Sequence, residues 1–127
     1  MFKFLILFLC FQIGSPEAPL ESRLDIALKS KKPILTIFSA KWCAPCQSMK
    51  RAVIEPMVAS GELDSVSLIY VDVDKDRSFT EKYLGKDVVI PRILLFFKKE
   101  NGWFKYSLEG YQSRENILKI IKLVKRK

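Results

Sequence analysis

Histidine is absent from the whole chain. Its absence removes the commonest general base, a frequent metal ligand and every Ser-His or Cys-His catalytic pair. Whatever chemistry the chain performs must come from cysteine, carboxylate, lysine or tyrosine. Cysteine is itself scarce: Cys10, Cys43 and Cys46 are the only three, too few for a wider disulfide framework. Long apolar runs are missing as well. The run Phe4 to Phe11 falls far short of the roughly 20 apolar residues that a membrane-spanning helix needs. There is no repeat, low-complexity tract or internal linker.

What is present fits one domain. In 127 residues, 49% are hydrophobic, enough for a core that needs neither several disulfides nor a metal to hold it. A single monomeric unit is the expectation. The net charge of +8 invites a nucleic-acid reading. The basic residues are scattered, however, and no nucleic-acid partner is expected. Their densest group, Lys119, Lys122, Lys125, Arg126 and Lys127, lies on the polar side of the last apolar-periodic segment. A solvated helix face is the plain reading of that group, and association with an anionic membrane surface is the second.

The opening residues, MFKFLILFLCFQIGSPEAP, carry one positive charge at Lys3, then the apolar run, then small and turn-forming residues. This pattern reads as a secretory signal peptide over residues 1–18, leaving one domain over residues 19–127. Between Gly14 and Ala18 no clean small-x-small cleavage pair stands out, and Pro16 and Pro19 interfere, so an uncleaved anchor is the alternative. Cys10 follows Phe8 and Leu9 rather than the small residues that precede a lipidated cysteine, and reads as apolar filler that leaves with the signal. An exported protein, periplasmic or otherwise extracytoplasmic, is expected, membrane-associated if the anchor stays.

Further along, Leu20, Leu24, Ile26, Ala27 and Leu28 suggest a short amphipathic helix from Pro19 to Ser30, with Glu21, Arg23 and Asp25 outward and Pro33 preventing continuation. Ile34 to Phe38 is short, apolar and rich in β-branched residues, as in a strand buried on both faces. From Ala44, the residues Met49, Ala52, Val53 and Met57 fit a helix that Pro56 should bend or break. Val66 to Asp74 reads as a second buried strand, and Arg77 to Leu84 as a helix stopping at Gly85. A strand from Ile93 to Lys98, a turn at Lys99 to Gly102 and a strand from Trp103 to Glu109 make a hairpin. The last helix follows Ser113, its candidate N-cap. Strands separated by helices call for parallel neighbours, and the hairpin adds an antiparallel edge.

The stretch FSAKWCAPCQSMK, Phe38 to Lys50, holds Cys43 and Cys46 between the first strand and a helix. Tetrahedral zinc needs four protein ligands. Without histidine or further cysteines, carboxylates or a second copy would have to complete it, and no metal is expected. A purely structural staple closing so small a loop restricts the unfolded chain little. A redox pair has a positive mechanism. With Cys43 at the start of the helix, unpaired N–H groups and the helix dipole stabilise its thiolate. Cys46, one turn later, can attack the same sulfur and resolve a mixed disulfide. Pro45 suits the first helical turn, and Trp42 either shields one side of the pair or packs as an ordinary junction residue.

At these residues the chain resembles the active-site segment of the thioredoxin superfamily. The similarity runs from about Leu20 to the C-terminus, through VDVD at Val71 to Asp74, VIPRILLFF at Val89 to Phe97, and LEGYQS at Leu108 to Ser113. Within the superfamily the chain is most similar to exported thioredoxin-like proteins, including the C-terminal domain of the bacterial transmembrane disulfide reductase. The resemblance implies an α/β thioredoxin-like fold with a central mixed four-stranded sheet flanked by helices. It implies a catalytic Cys43/Cys46 dithiol with no cofactor beyond that redox-active disulfide, and substrate-binding positions at Trp42, Ala44, Pro45, Ile90 and Pro91. Pro91 should be cis and lie beside the sulfurs, with the backbone of Ile90 pairing an extended substrate segment. Taken alone, Ile90 reads as core.

Departures from the family pattern bear on direction. Many thioredoxins carry a buried carboxylate six residues before the first active-site cysteine; Ile37 stands there, so that proton relay is missing. Lys50, a turn after Cys46, stands where the C-terminal domain of the transmembrane disulfide reductase carries a glutamate. Less negative charge favours the Cys43 thiolate and the reduced form, pushing the couple towards oxidation. Arg92 would add to this if it turned towards the sulfurs, and has solvent as its alternative. Ala44-Pro45 argues for a reductant. The expectation is a thiol-disulfide oxidoreductase, specifically a protein-disulfide reductase acting on disulfide-bonded or thiol-containing proteins and recharged by a membrane electron donor. A disulfide oxidase or isomerase would use the same residues with the traffic reversed, and a non-catalytic binding module would leave the pair idle.

Overall fold

The computed structural model describes residues 18–125. The apolar N-terminal run, the signal or anchor read there, Cys10, Arg126 and Lys127 lie outside the described residues. The fold is organised around β1 (Ile34–Ser39), whose first five residues are all buried. It pairs in parallel with β2 (Ser67–Asp72) and antiparallel with β3 (Arg92–Lys99), and β3 pairs antiparallel with β4 (Gly102–Glu109). The sheet order is β2-β1-β3-β4, the mixed four-stranded sheet expected from the resemblance.

Two strand expectations need correction. The parallel arrangement holds only for β1 with β2, because β3 runs the other way. The intervening helix, α4 (Arg77–Leu84), has eight residues and spans about 12 Å, and the chain comes back to the sheet at the end where β2 finished: Ser39 stands beside Asp72, and Phe38 beside Arg92. Nor is β2 buried throughout. Only Ile69 and Val71 are fully enclosed, since β2 is an edge strand with one neighbour. Gly85 ends α4 with φ of 74°, a left-handed conformation that favours glycine.

Alternation along β1 and β3 divides the core into two layers. Leu35, Ile37, Ile93 and Leu95 face the helix after β1 and α5 (Arg114–Lys125), meeting Met49, Ile54, Met57, Ile117 and Ile121. Ile34, Phe38 and Leu94 face α1 (Leu20–Lys29) and α4, meeting Leu20, Ala27, Phe79 and Tyr83. In α1 the apolar stripe is narrower than the composition suggests. Leu20, Leu24 and Ala27 share one face, whereas Ile26 and Leu28 fall to its sides and are exposed. Arg23 is not simply outward either: its guanidinium donates to the carbonyls of Ala18 and Tyr70, at 3.0 and 2.6 Å.

Pro56 does not break its helix. The segment runs as α2 (Ala44–Met49), a π-helical turn at Lys50–Ile54, and α3 (Glu55–Ala59). Proline has no N–H and its ring crowds the carbonyl four residues back. The wider π turn, in which the Glu55 N–H reaches the carbonyl of Lys50, takes up that mismatch and lets the helix go on. Ser113 caps α5 as expected, its Oγ accepting from the Asn116 N–H at 3.2 Å. No helix among the described residues is long and apolar enough to cross a membrane.

Phe38 is fully buried and stacks on Phe79 at 6.0 Å between ring centres. Phe38→Ala should therefore lower unfolding stability by about 3–5 kcal/mol, and Ser113→Ala by only about 1 kcal/mol. Urea unfolding followed by far-UV circular dichroism measures both, and equal costs would contradict this account of the core.

Candidate active site

The end of β1 delivers the chain directly to the cysteines. After Ser39 and the buried Ala40, the Cys43 N–H donates to the Ala40 carbonyl at 3.2 Å, closing a tight turn. Cys43 is the N-cap residue of α2, in an extended conformation, and its carbonyl accepts the first helical bond from the Gln47 N–H at 3.1 Å. Ala44 and Pro45 occupy the first helical turn and are exposed, so the proline costs no helical hydrogen bond.

Cys43 and Cys46 are joined in a disulfide, with Cα atoms 5.2 Å apart. The Cys46 N–H donates to Cys43 Sγ at 3.3 Å. An N–H at a helix start aimed at the sulfur would also stabilise negative charge there once the bond is reduced. Both residues are buried, at 5% and 2% exposure, with the Cys43 side of the bond the more open.

Two other segments close around the pair. The Ile90–Pro91 peptide bond is cis, as the resemblance implies. Ile90 is half-buried against Ala40, Cys43 and Cys46, and Pro91 is buried with its carbonyl accepting from the Gly110 N–H at 2.8 Å. Trp42 is 70% exposed, yet its Nε1–H donates to Asp74 Oδ2 at 2.9 Å. The indole is thereby tethered to the loop after β2 instead of packing into the core.

Sequence reasoning missed the groups that hold this frame. Asp74 received no role, and neither did Asp72, whose Oδ1 accepts from the backbone N–H groups of Asp74 and Lys75 at 2.9 and 3.3 Å and so shapes the loop that presents Asp74. The signal was an Asx-type turn written in Asp72-Val73-Asp74. Gln47 was passed over too; its Nε2 donates to the Ala40 carbonyl at 3.0 Å and braces the turn before the cysteines.

The charges sort differently from either reading of the sequence. Arg92 goes neither to the sulfurs nor to open solvent. It faces its cross-strand neighbour Glu109, with Nη2 at 3.1 Å from the carboxylate and Nη1 donating to Ser107 Oγ at 3.4 Å. Ile37 is buried among hydrophobic side chains, and Lys50 stays exposed with its ammonium 5.2 Å from the centre of the Tyr70 ring. Among the described residues no cluster of carboxylate, cysteine or histidine could hold a metal ion.

Burial pushes the Tyr70 hydroxyl up to about 12, with the Glu55 carboxylate adding to the effect. The unfolded tyrosine loses its proton near pH 10, so the folded form keeps a proton that the unfolded form has released. Stability from this group is complete below about pH 10 and falls as pH rises towards 12. The urea midpoint should drop between about pH 9 and pH 11.5. In Tyr70→Phe the drop should be smaller, and an identical profile would contradict the burial argument.

Comparison with known proteins gives a consistent picture. A family model described as thioredoxin-like matches residues 15–98. Thioredoxin Y1, chloroplastic, of Arabidopsis thaliana is 31% identical over 85 residues, covering 67% of this chain and 47% of that protein. The thiol:disulfide interchange protein DsbD of Campylobacter jejuni is 31% identical over 91 residues, covering 71% of this chain but 16% of that protein. This chain thus spans about half of the first relative and a small part of the second. Among solved structures, Trichomonas vaginalis thioredoxin superposes with a TM-score of 0.65 at 28% identity, covering 81% of this chain and 88% of that one.

Proposed function

The chain belongs to the thioredoxin-like family, and from that premise we propose that it is a thiol-disulfide oxidoreductase working as a protein-disulfide reductase. The observation that carries the reading is the disulfide itself: Cys43 caps α2, Cys46 lies one turn on, and the Cys46 N–H points at the Cys43 sulfur.

In the dithiol form, the Cys43 thiolate attacks one sulfur of a substrate disulfide. A Cys43–substrate bond forms, and the other substrate sulfur leaves as thiolate and takes up a proton. The Cys46 thiolate then attacks Cys43 Sγ, forming the Cys43–Cys46 disulfide and releasing the second substrate thiol. The substrate gains two electrons and two protons, and the protein loses them. Trp42, Ala44, Pro45, Ile90 and Pro91 form the contact surface around the sulfurs in this proposal.

A second dithiol must return the electrons. The apolar N-terminal run and the likeness to part of DsbD support an exported location with a membrane-bound donor. The direction is supported by Arg92. Its pairing with Glu109 removes one of the positive charges that would have favoured an oxidant, and Ala44-Pro45 adds nothing cationic between the cysteines. Lys50 is the observation that favours the reverse traffic, because among the described residues no carboxylate forms an ion pair with it and it lies one turn from Cys46.

Cys46→Ser should accumulate long-lived mixed disulfides with partner proteins, visible as bands that collapse on reduction in non-reducing gels, whereas Cys43→Ser should form none. Trapping by Cys43→Ser alone would reverse the assignment of roles. Equilibration of the pair with glutathione measures its reduction potential. A value below about −220 mV supports the reductase, and one near −120 mV supports the oxidase.

A further inference from the structure

The oxidoreductase reading leaves the substrate unspecified, and a groove beside the disulfide bears on it. The groove lies along the ends of β1 and β2 and encloses about 520 Å³. It reaches the redox pair through Ala40, which packs against both cysteines, and through Lys41 and Gln47. Four cations line it, Arg23, Lys41, Lys50 and Lys75, against two acids, Asp72 and Asp76.

These charges are not equally available. Asp72 turns one oxygen into its own loop, accepting two backbone N–H groups. Arg23 is held in the wall by the Ala18 and Tyr70 carbonyls. Lys41, Lys50 and Lys75 have no carboxylate partner: the ion pairs among the described residues use Lys29, Arg92 and Arg114. The aromatic contact of Lys50 with Tyr70 positions its ammonium without neutralising it. Tyr70 is neutral at pH 7, as an ordinary tyrosine is, so its ring and hydroxyl repel no anion.

We propose that this groove binds an acidic stretch of the substrate protein, so that disulfides flanked by Asp and Glu are reduced in preference to others; the inference rests on the oxidoreductase reading. Three unpaired ammonium groups around one concavity draw carboxylates in from roughly a Debye length, about 8 Å at physiological salt. They raise the rate of productive encounter more than the tightness of the final complex.

Two disulfide-bridged peptides of equal length, one flanked by Asp and Glu and the other by Lys and Arg, test this in single turnovers with the dithiol form of the protein. The acidic peptide should react about tenfold faster at low ionic strength. The preference should vanish near 1 M salt, where the screening length is about 3 Å. The readout is the ratio of the two rates, in which a general change in thiol reactivity cancels. Lys41→Glu/Lys75→Glu should bring that ratio to one or below. Lys119→Glu/Lys122→Glu, the same change of net charge on α5, should leave it high. Equal rates for the two peptides in the parent protein, or an equal loss of preference in the α5 variant, overturns the groove while the oxidoreductase reading stands. Failure to reduce either peptide and also bis(2-hydroxyethyl) disulfide overturns the oxidoreductase reading, and the groove with it.

Discussion

The burial of β1 is the constraint on which the rest of the structure depends. Its five leading residues are enclosed by β2 and β3 at the sides and by helices on both faces. Burying each large side chain contributes about 1.5–3 kcal/mol, and a one-residue slip would turn every one of them to the wrong layer. The register of this strand is therefore strongly specified. The turn that follows it inherits that precision, and the two sulfurs of the Cys43–Cys46 disulfide are placed at its end.

The other parts of the site come from the same end of the sheet. The loop leaving β2 presents Asp74 to Trp42, and the segment entering β3 presents Ile90 and Pro91 to the cysteines. The Gly110 N–H, just past β4, ties down the Pro91 carbonyl. Three connections separated widely in sequence meet because the strands bearing them are hydrogen-bonded neighbours. Loops on a rigid sheet can carry chemistry that the loops alone could not hold in place.

Electrostatics gives the site its individual character. A routine carboxylate relay is replaced by the apolar Ile37, and the guanidinium of Arg92 is taken by Glu109 instead of the sulfurs. The positive charge that remains near the disulfide belongs to lysines on the groove side, where a substrate can meet it. On the proposed reading, the charge of these lysines acts on which partner arrives, and only Lys50 also lies within a turn of the resolving cysteine.

Much of this was legible in the amino-acid sequence. The cysteine pair, the stop of α4 at Gly85 and the start of α5 after Ser113 all depend on residues within a turn or two of each other. Local hydrogen bonding and backbone freedom decide such features, so a short stretch of sequence determines them. The antiparallel placement of β3, the one-sided burial of β2 and the exposure of Ile26 and Leu28 were decided elsewhere, by which elements become neighbours. So were the pairing of Arg92 with Glu109 and the meeting of Lys41, Lys50 and Lys75 around one groove. An ammonium or guanidinium on a long side chain takes whatever partner the strand register and helix packing bring within reach, and only the tertiary structure sets that distance.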